Sequence, residues 1–187
     1  MKSRIACLAV GVGALALAGA ASAQQQEEQP QTRQPSSQPG NLAPADRQFL
    51  QQAYSINQGE VKLGEVAKRK GTTDEVKNYG QLMMSDHTLA LKELHQFADK
   101  ANAKVPSQLL PEQQRAYEQM SKLSGAEFDK AYIDHMVTGH EAAIGAFSKE
   151  AQFGKNPVLK DYAQKTLPML QSHEGIAKFD QSHPNEP

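Results

Sequence analysis

The chain has 187 residues, 20 Lys and Arg against 21 Asp and Glu, a single Cys, no Trp and 6% aromatic residues. A balance this close to neutral argues against a nucleic-acid binder, which needs a basic patch to meet phosphates. The shortage of aromatics argues against a carbohydrate platform, and one Cys rules out an internal disulfide framework.

The chain opens on the basic Met1-Lys2-Ser3-Arg4, and an apolar run follows from Ile5 to Ala20. Ala21-Ser22-Ala23 then sets small residues around a cleavage point before Gln24. This is the three-part pattern of a secretory signal over residues 1–23, with cleavage expected after Ala23. The run is shorter than the ~20 apolar residues a membrane span needs, and no second candidate follows. The expectation is an exported chain, periplasmic or envelope-associated, with no transmembrane span after processing. Cleavage removes Cys7, so thiolate ligands and a cysteine nucleophile are not available. It also leaves 18 basic residues against 21 acidic, a mild net charge of −3.

Residues 24–44 are rich in Gln, Pro, Ser and Glu, with almost no large apolar side chain. Such a stretch cannot bury enough surface to offset its ordering entropy, and it reads as a disordered linker. Residues 182–187 read as a disordered tail. The domain between them, residues 45–181, carries helical periodicity throughout.

The first pattern runs from about Asp46 to Lys70, with Phe49, Ala53, Ile56, Leu63 and Ala67 on one stripe and Gly71 as the stop. Thr72 followed by Glu75 has the spacing of a capping box and opens the second helix. Its stripe is Val76, Met83, Ala90, Leu94 and Phe97, and it ends near Ala101. A short third helix is predicted from Pro111 to about Ser124. A fourth runs from Ala126 to Phe153 with Phe128, Tyr132, Ala142, Ala146 and Phe153 inward. The last runs from Pro157 to about Gln181 with Leu159, Tyr162, Met169 and Ile176 inward. Pro168 lies inside it and predicts a kink or break between Thr166 and Leu170. No segment alternates with period two. The pattern predicts an all-α, ferritin-like four-helix bundle with the short extra helix in the long connection between the second and third long helices. An up-and-down bundle with the short helix across one end is the competing geometry.

Ionisable groups interrupt the apolar stripes. The first helix places Glu60 in its seam, the second His87 and the last His173, while the fourth offers His135 and His140. Charged groups pointed at a core are costly unless paired or bound to a metal. Met83, Met136 and Met169 each precede a histidine by four residues, and residues four apart share a helix face. Thioether and imidazole together suit copper. The candidate metal ligands are therefore Glu60, His87, His140 and His173, with Met83, His135, Met136 and Met169 secondary. Copper is the first candidate, then iron or zinc. Against this stands a neutral buried network in which Glu60 hydrogen-bonds a core histidine and Met fills an irregular core. Depth is a further constraint. Counted from the turn near Gly71, Glu60 falls opposite Leu82 rather than His87, an offset of about five residues or ~7.5 Å. Asp86 is expected to be solvated or to orient a neighbour.

Signals for catalysis are thin. There is no Gly-x-Ser-x-Gly turn and no phosphate-cradling glycine loop, and His140-Glu141 and His173-Glu174 are not the two-histidine motif of zinc peptidases.

Taken in order, Gly59-Glu60, Leu63-Gly64, Ala67, Val76, Met83, Asp86-His87, Phe128-Asp129, Tyr132, His140, Leu167-Pro168, Leu170 and His173 resemble the domain-of-unknown-function 4142 family. These are exported bacterial proteins with a ferritin-like bundle, often labelled membrane proteins. The resemblance covers roughly Ala45 to Lys178 and implies fold and export, without an activity. Ferritin-like di-iron sites use Glu-x-x-His pairs. Here Met84, Val137 and Leu170 stand three residues before His87, His140 and His173. The bridging carboxylates are missing, and di-iron chemistry is not expected. The leading expectation is a non-enzymatic exported bundle holding a metal in its core. The alternative is a stress-related structural or interaction module of the envelope, with an envelope protein as partner and no metal. A mononuclear metalloenzyme comes third.

Overall fold

The computed structural model describes residues 42–183. The signal segment, the linker up to residue 41 and the tail from residue 184 lie outside the described residues. Five helices follow in order: α1 (Pro44–Lys70), α2 (Asp74–Lys100), α3 (Pro111–Met120), α4 (Gly125–Phe153) and α5 (Pro157–Ser182). The described residues contain no strand. Proline opens α1, α3 and α5, where its missing N–H is one the helix cannot use.

The start of α2 differs from the capping box expected at Thr72. Thr73 is the N-cap and accepts from the Val76 N–H at 3.3 Å. Thr72 instead donates its N–H to the Asp129 carboxylate at 3.1 Å and bonds it through its hydroxyl as well. That tie fastens the α1–α2 turn to α4. At the other end, Asp46 accepts from the Lys155 N–H at 2.8 Å and fastens the α4–α5 turn to α1.

Helix α1 packs on α2 and α4 on α5, and the two hairpins close through α1 on α4 and α2 on α5. The apolar core has two clusters. One gathers Phe49 and Ala53 of α1, Leu94 and Phe97 of α2, Phe147 of α4, and Leu159 and Tyr162 of α5. The other gathers Leu63 and Ala67, Tyr79 and Met83, Phe128, Tyr132 and Met136, and Ala177. From cluster to cluster, α1 and α5 therefore run one way and α2 and α4 the other. The segment joining α2 to α4 must return the full length of the bundle, which is the ferritin-like connection. It does so along α1. Gln51 and Tyr54 bond the carbonyls of Gln108 and Ser107, Ser55 bonds Gln113 and the Leu110 N–H, and Lys70 bonds the carbonyls of Ser121 and Leu123.

Two glycines set the α1–α2 approach. A Cβ on Gly64 would stand 2.5 Å from the Gly80 carbonyl oxygen, and one on Gly80 would stand 2.7 Å from the Ala67 Cβ. Only residues without a side chain let the backbones meet there.

Phe128 and Tyr132 of α4 and Leu159 and Tyr162 of α5 face inward as predicted, but the later positions of both stripes do not. Ala142 is exposed, Phe153 is 66% exposed and Ile176 37%. Beyond Tyr132 the buried row of α4 continues through Met136, His140, Ala143 and Phe147, and beyond Tyr162 that of α5 continues through Thr166, Leu170, His173 and Ala177. Helix α5 runs unbroken through Pro168. The proline and Gln164, whose carbonyl loses its donor, both lie on the exposed face of the helix, where an open carbonyl costs least.

Candidate metal centre

Between the two apolar clusters each long helix presents polar side chains. On α1 these are Asn57 and Glu60, on α2 His87, on α4 His140 and on α5 His173. All are buried, the histidines at 0%, 1% and 2% exposure and Glu60 at 7%. The imidazoles form a triangle with ring centroids 5.3, 5.4 and 5.8 Å apart. One ring nitrogen from each lies within 4.8 Å of the others.

The proton positions follow from the partners. His140 Nδ1 is 2.8 Å from the Met136 carbonyl oxygen, which only accepts, so Nδ1 carries the hydrogen. His173 Nε2 is 3.0 Å from an Asp86 carboxylate oxygen, so there Nε2 carries it. His87 Nδ1 is 2.8 Å from Asn57 Oδ1. The Asn57 amide is itself fixed, because its Nδ2 donates to the Ala53 carbonyl at 2.7 Å and to the Tyr162 hydroxyl at 3.1 Å. The Tyr162 hydroxyl donates onward to the Ala90 carbonyl at 3.2 Å. Asn57 Oδ1 therefore accepts, and His87 Nδ1 donates. Three bare nitrogens remain, His87 Nε2, His140 Nε2 and His173 Nδ1. All are buried and none has a hydrogen-bond partner.

Burial pushes all three histidines below the usual imidazole range, His140 to about 4. Each ring also lies near another imidazole, which resists protonation further for His87 and His140. Asp86 pulls His173 partly back. Near neutral pH the set is three uncharged imidazoles, each held in one tautomer by an outer acceptor and each left with one buried nitrogen whose lone pair has no partner. Metal-binding histidines are oriented in this way, with the second nitrogen given to a carboxylate or carbonyl.

The candidates divide. His87, His140 and His173 come together. Glu60 does not join them, and the depth argument supplies the reason, because the α1 residue level with His87 is Asn57, one turn earlier. Glu60 Oε1 instead lies beside Gly139, a position that His135 also borders. Its carboxyl is pushed up to about 8 by burial, and Oε2 has no partner. Met83 and Met136 pack into the second apolar cluster, and Met169 is half-buried against the first. Asn57 escaped the sequence reading because it carries no charge, although its place four residues after Ala53 on the same stripe was a signal.

These features define a helical-bundle protein with a histidine triad buried between two apolar cores. The chain belongs to the family described as a domain of unknown function, DUF4142, whose model matches residues 31–179. No curated protein matches it in sequence. Two solved structures share the fold. A DUF305 fragment from Deinococcus radiodurans is 11% identical at TM-score 0.66, covering 76% of this chain and 98% of its own. CopM in the Cu(I)-bound form is 16% identical at TM-score 0.61, covering 75% and 98%. Identities this low establish the architecture only. No helix among the described residues is long and apolar enough to cross a membrane.

Proposed function

We propose that this protein is an exported metal-binding bundle and that His87, His140 and His173 hold one copper ion, as Cu(I). The observation that carries the reading is the set of three bare, buried ring nitrogens whose opposite nitrogens are all engaged. Nitrogens about 2.0–2.1 Å from an ion stand ~3.5 Å apart in a trigonal array. From 4.8 Å or less, each ring moves inward by under ~1 Å to reach that array.

Charge selects the metal. Imidazole suits copper, zinc, iron and nickel alike. The triad adds no negative charge, and the cost of drying an ion grows with the square of its charge. A monovalent ion fits three neutral ligands in an apolar setting better than a divalent one. The fold shared with CopM, whose structure holds Cu(I), supports this choice. Export through the signal expected over residues 1–23 would put the triad outside the cytosol, and cleavage there would remove Cys7 and leave no thiolate to compete for the copper.

The test is anaerobic Cu(I) titration of the processed protein, with X-ray absorption on the product. One ion per chain with a three-nitrogen shell is expected, lost in His140→Leu and in His173→Ala. A chain that retains no copper, zinc or iron above background would leave the polar layer as a device for helix register and defeat the proposal. Metal retained unchanged by both substitutions would defeat it as well.

A further inference from the structure

Glu60 and His135 remain unused by the triad. They come from different helices, α1 and α4, and flank the same point. A Cβ built on Gly139 would stand 3.7 Å from Glu60 Oε1 and 3.9 Å from His135 Nε2. The glycine thus leaves room between a carboxylate oxygen and an imidazole nitrogen. Glu60 is 7% exposed, and its other oxygen is occluded without a partner. Tyr132 lies on the same ridge of α4, three residues before His135, and its buried hydroxyl also has no partner. Orphaned buried polar atoms of this kind cost about 1–3 kcal/mol each unless something answers them. Gly139 and His135 are only half-buried, so the place can be reached from solvent.

The geometry points to a second cation site at Gly139, built from the Glu60 carboxylate and the His135 imidazole, which takes a divalent transition metal. The donor chemistry differs from that of the triad. A carboxylate with an imidazole matches the charge and hardness of Zn(II) or Cu(II), whereas three imidazoles match Cu(I). Two protein donors leave the other positions to water, reached past His135, so the ion exchanges readily. Asn57, one turn from Glu60 on α1, bonds His87. The second site therefore lies about one helical turn, ~5 Å, along the bundle from the triad. Its existence does not depend on what the triad binds.

Zn(II) binding to the processed protein, followed by calorimetry and by elemental analysis after dialysis, tests this. One ion is expected at this site, in addition to any that the triad takes, and it is abolished in Glu60→Gln and in His135→Ala. Gly139→Ala meets ordinary contacts rather than a clash, so it folds, and its methyl group occupies the gap. It should weaken that ion about tenfold or more and leave Cu(I) binding at the triad unchanged. Circular dichroism of each variant confirms that the bundle is intact. A single ion that survives Glu60→Gln and His135→Ala but is lost in His140→Leu overturns the second site. A single ion lost in Glu60→Gln but kept in His140→Leu upholds it and leaves the triad to the Cu(I) titration. A chain that binds no Zn(II) overturns it.

Discussion

Replacing His140 with Leu should stabilise the metal-free protein and abolish its response to metal. His140 is fully enclosed, with its Nε2 unpartnered. Removing a buried nitrogen that nothing satisfies recovers about 1–3 kcal/mol. The substitution also removes the bond from Nδ1 to the Met136 carbonyl. That oxygen keeps its intrahelical donor, so the loss is limited to about 0.5–1.5 kcal/mol. Leu has a similar volume and fills the same space. The net expectation is a gain of about 1 kcal/mol, or roughly 2–4 °C in Tm. With metal present the order reverses. An ion at a hundred times its Kd adds about 2.7 kcal/mol to the wild-type chain and nothing to the variant. Urea unfolding with chelator and with Cu(I) measures both. A variant less stable than wild type in chelator would refute the assignment of Nε2 as an unanswered lone pair. A variant that kept its stabilisation by metal would refute the ligand role.

Asp86→Asn should lower metal affinity about 10- to 100-fold with stoichiometry unchanged, because the carboxylate fixes His173 rather than touching the ion; a competition titration reads this, and unchanged affinity would remove Asp86 from the site. In chelator, stability should peak near pH 6.5. The three histidines have folded pKa values below their unfolded 6.5, so their contribution is present above 6.5 and lost as pH falls toward about 4, the value for His140. Glu60 is raised from 4.5 to about 8, so its contribution is present below 4.5 and lost as pH rises through 8. Glu60→Gln should therefore flatten the alkaline limb and leave the acid limb in place, as pH-dependent thermal melts would show; an alkaline limb identical to wild type counts against the buried neutral carboxyl. Gly80→Ala sets a methyl group 2.7 Å from Ala67 and 2.9 Å from the Gly64 carbonyl, and should destabilise by about 1–3 kcal/mol in denaturant unfolding; a neutral effect would mean that α1 and α2 can part without cost.

The helices were legible because their signals are local. Gly71, Gly154, Pro111 and Pro157 punctuate the chain, and the 3.6-residue period does the rest. The triad was half legible. A histidine on an apolar stripe is visible in sequence, and His87 and His173 were visible in that way, whereas the fourth helix offered His135 and His140 without deciding between them. Which α1 residue meets them is not visible, because that depends on where the α1–α2 turn sets the register. The turn is pinned by Asp129, a contact 57 residues away. Phase errors on α4 and α5 have a related origin. Ala142 and Ile176 are apolar without being inward, since a bundle helix needs only one narrow buried face.

The cost of the polar layer weighs between its two readings. Fixing helix register needs one satisfied buried pair, and Asn57 with His87, extended through Tyr162 to Ala90, is such a pair. His140 and His173 add nothing to that chain. They contribute two further nitrogens with no partner, at about 1–3 kcal/mol each, in a domain whose whole stability is of order 5–15 kcal/mol. A register device has no use for that expense, whereas a metal site requires it. The bare lone pairs must be free of hydrogen bonds to bind an ion, and the outer acceptors Asn57, the Met136 carbonyl and Asp86 must be in place beforehand to keep them so. Three helices supply the nitrogens and the fourth supplies the amide that orients one of them, which ties the four-helix arrangement itself to the site.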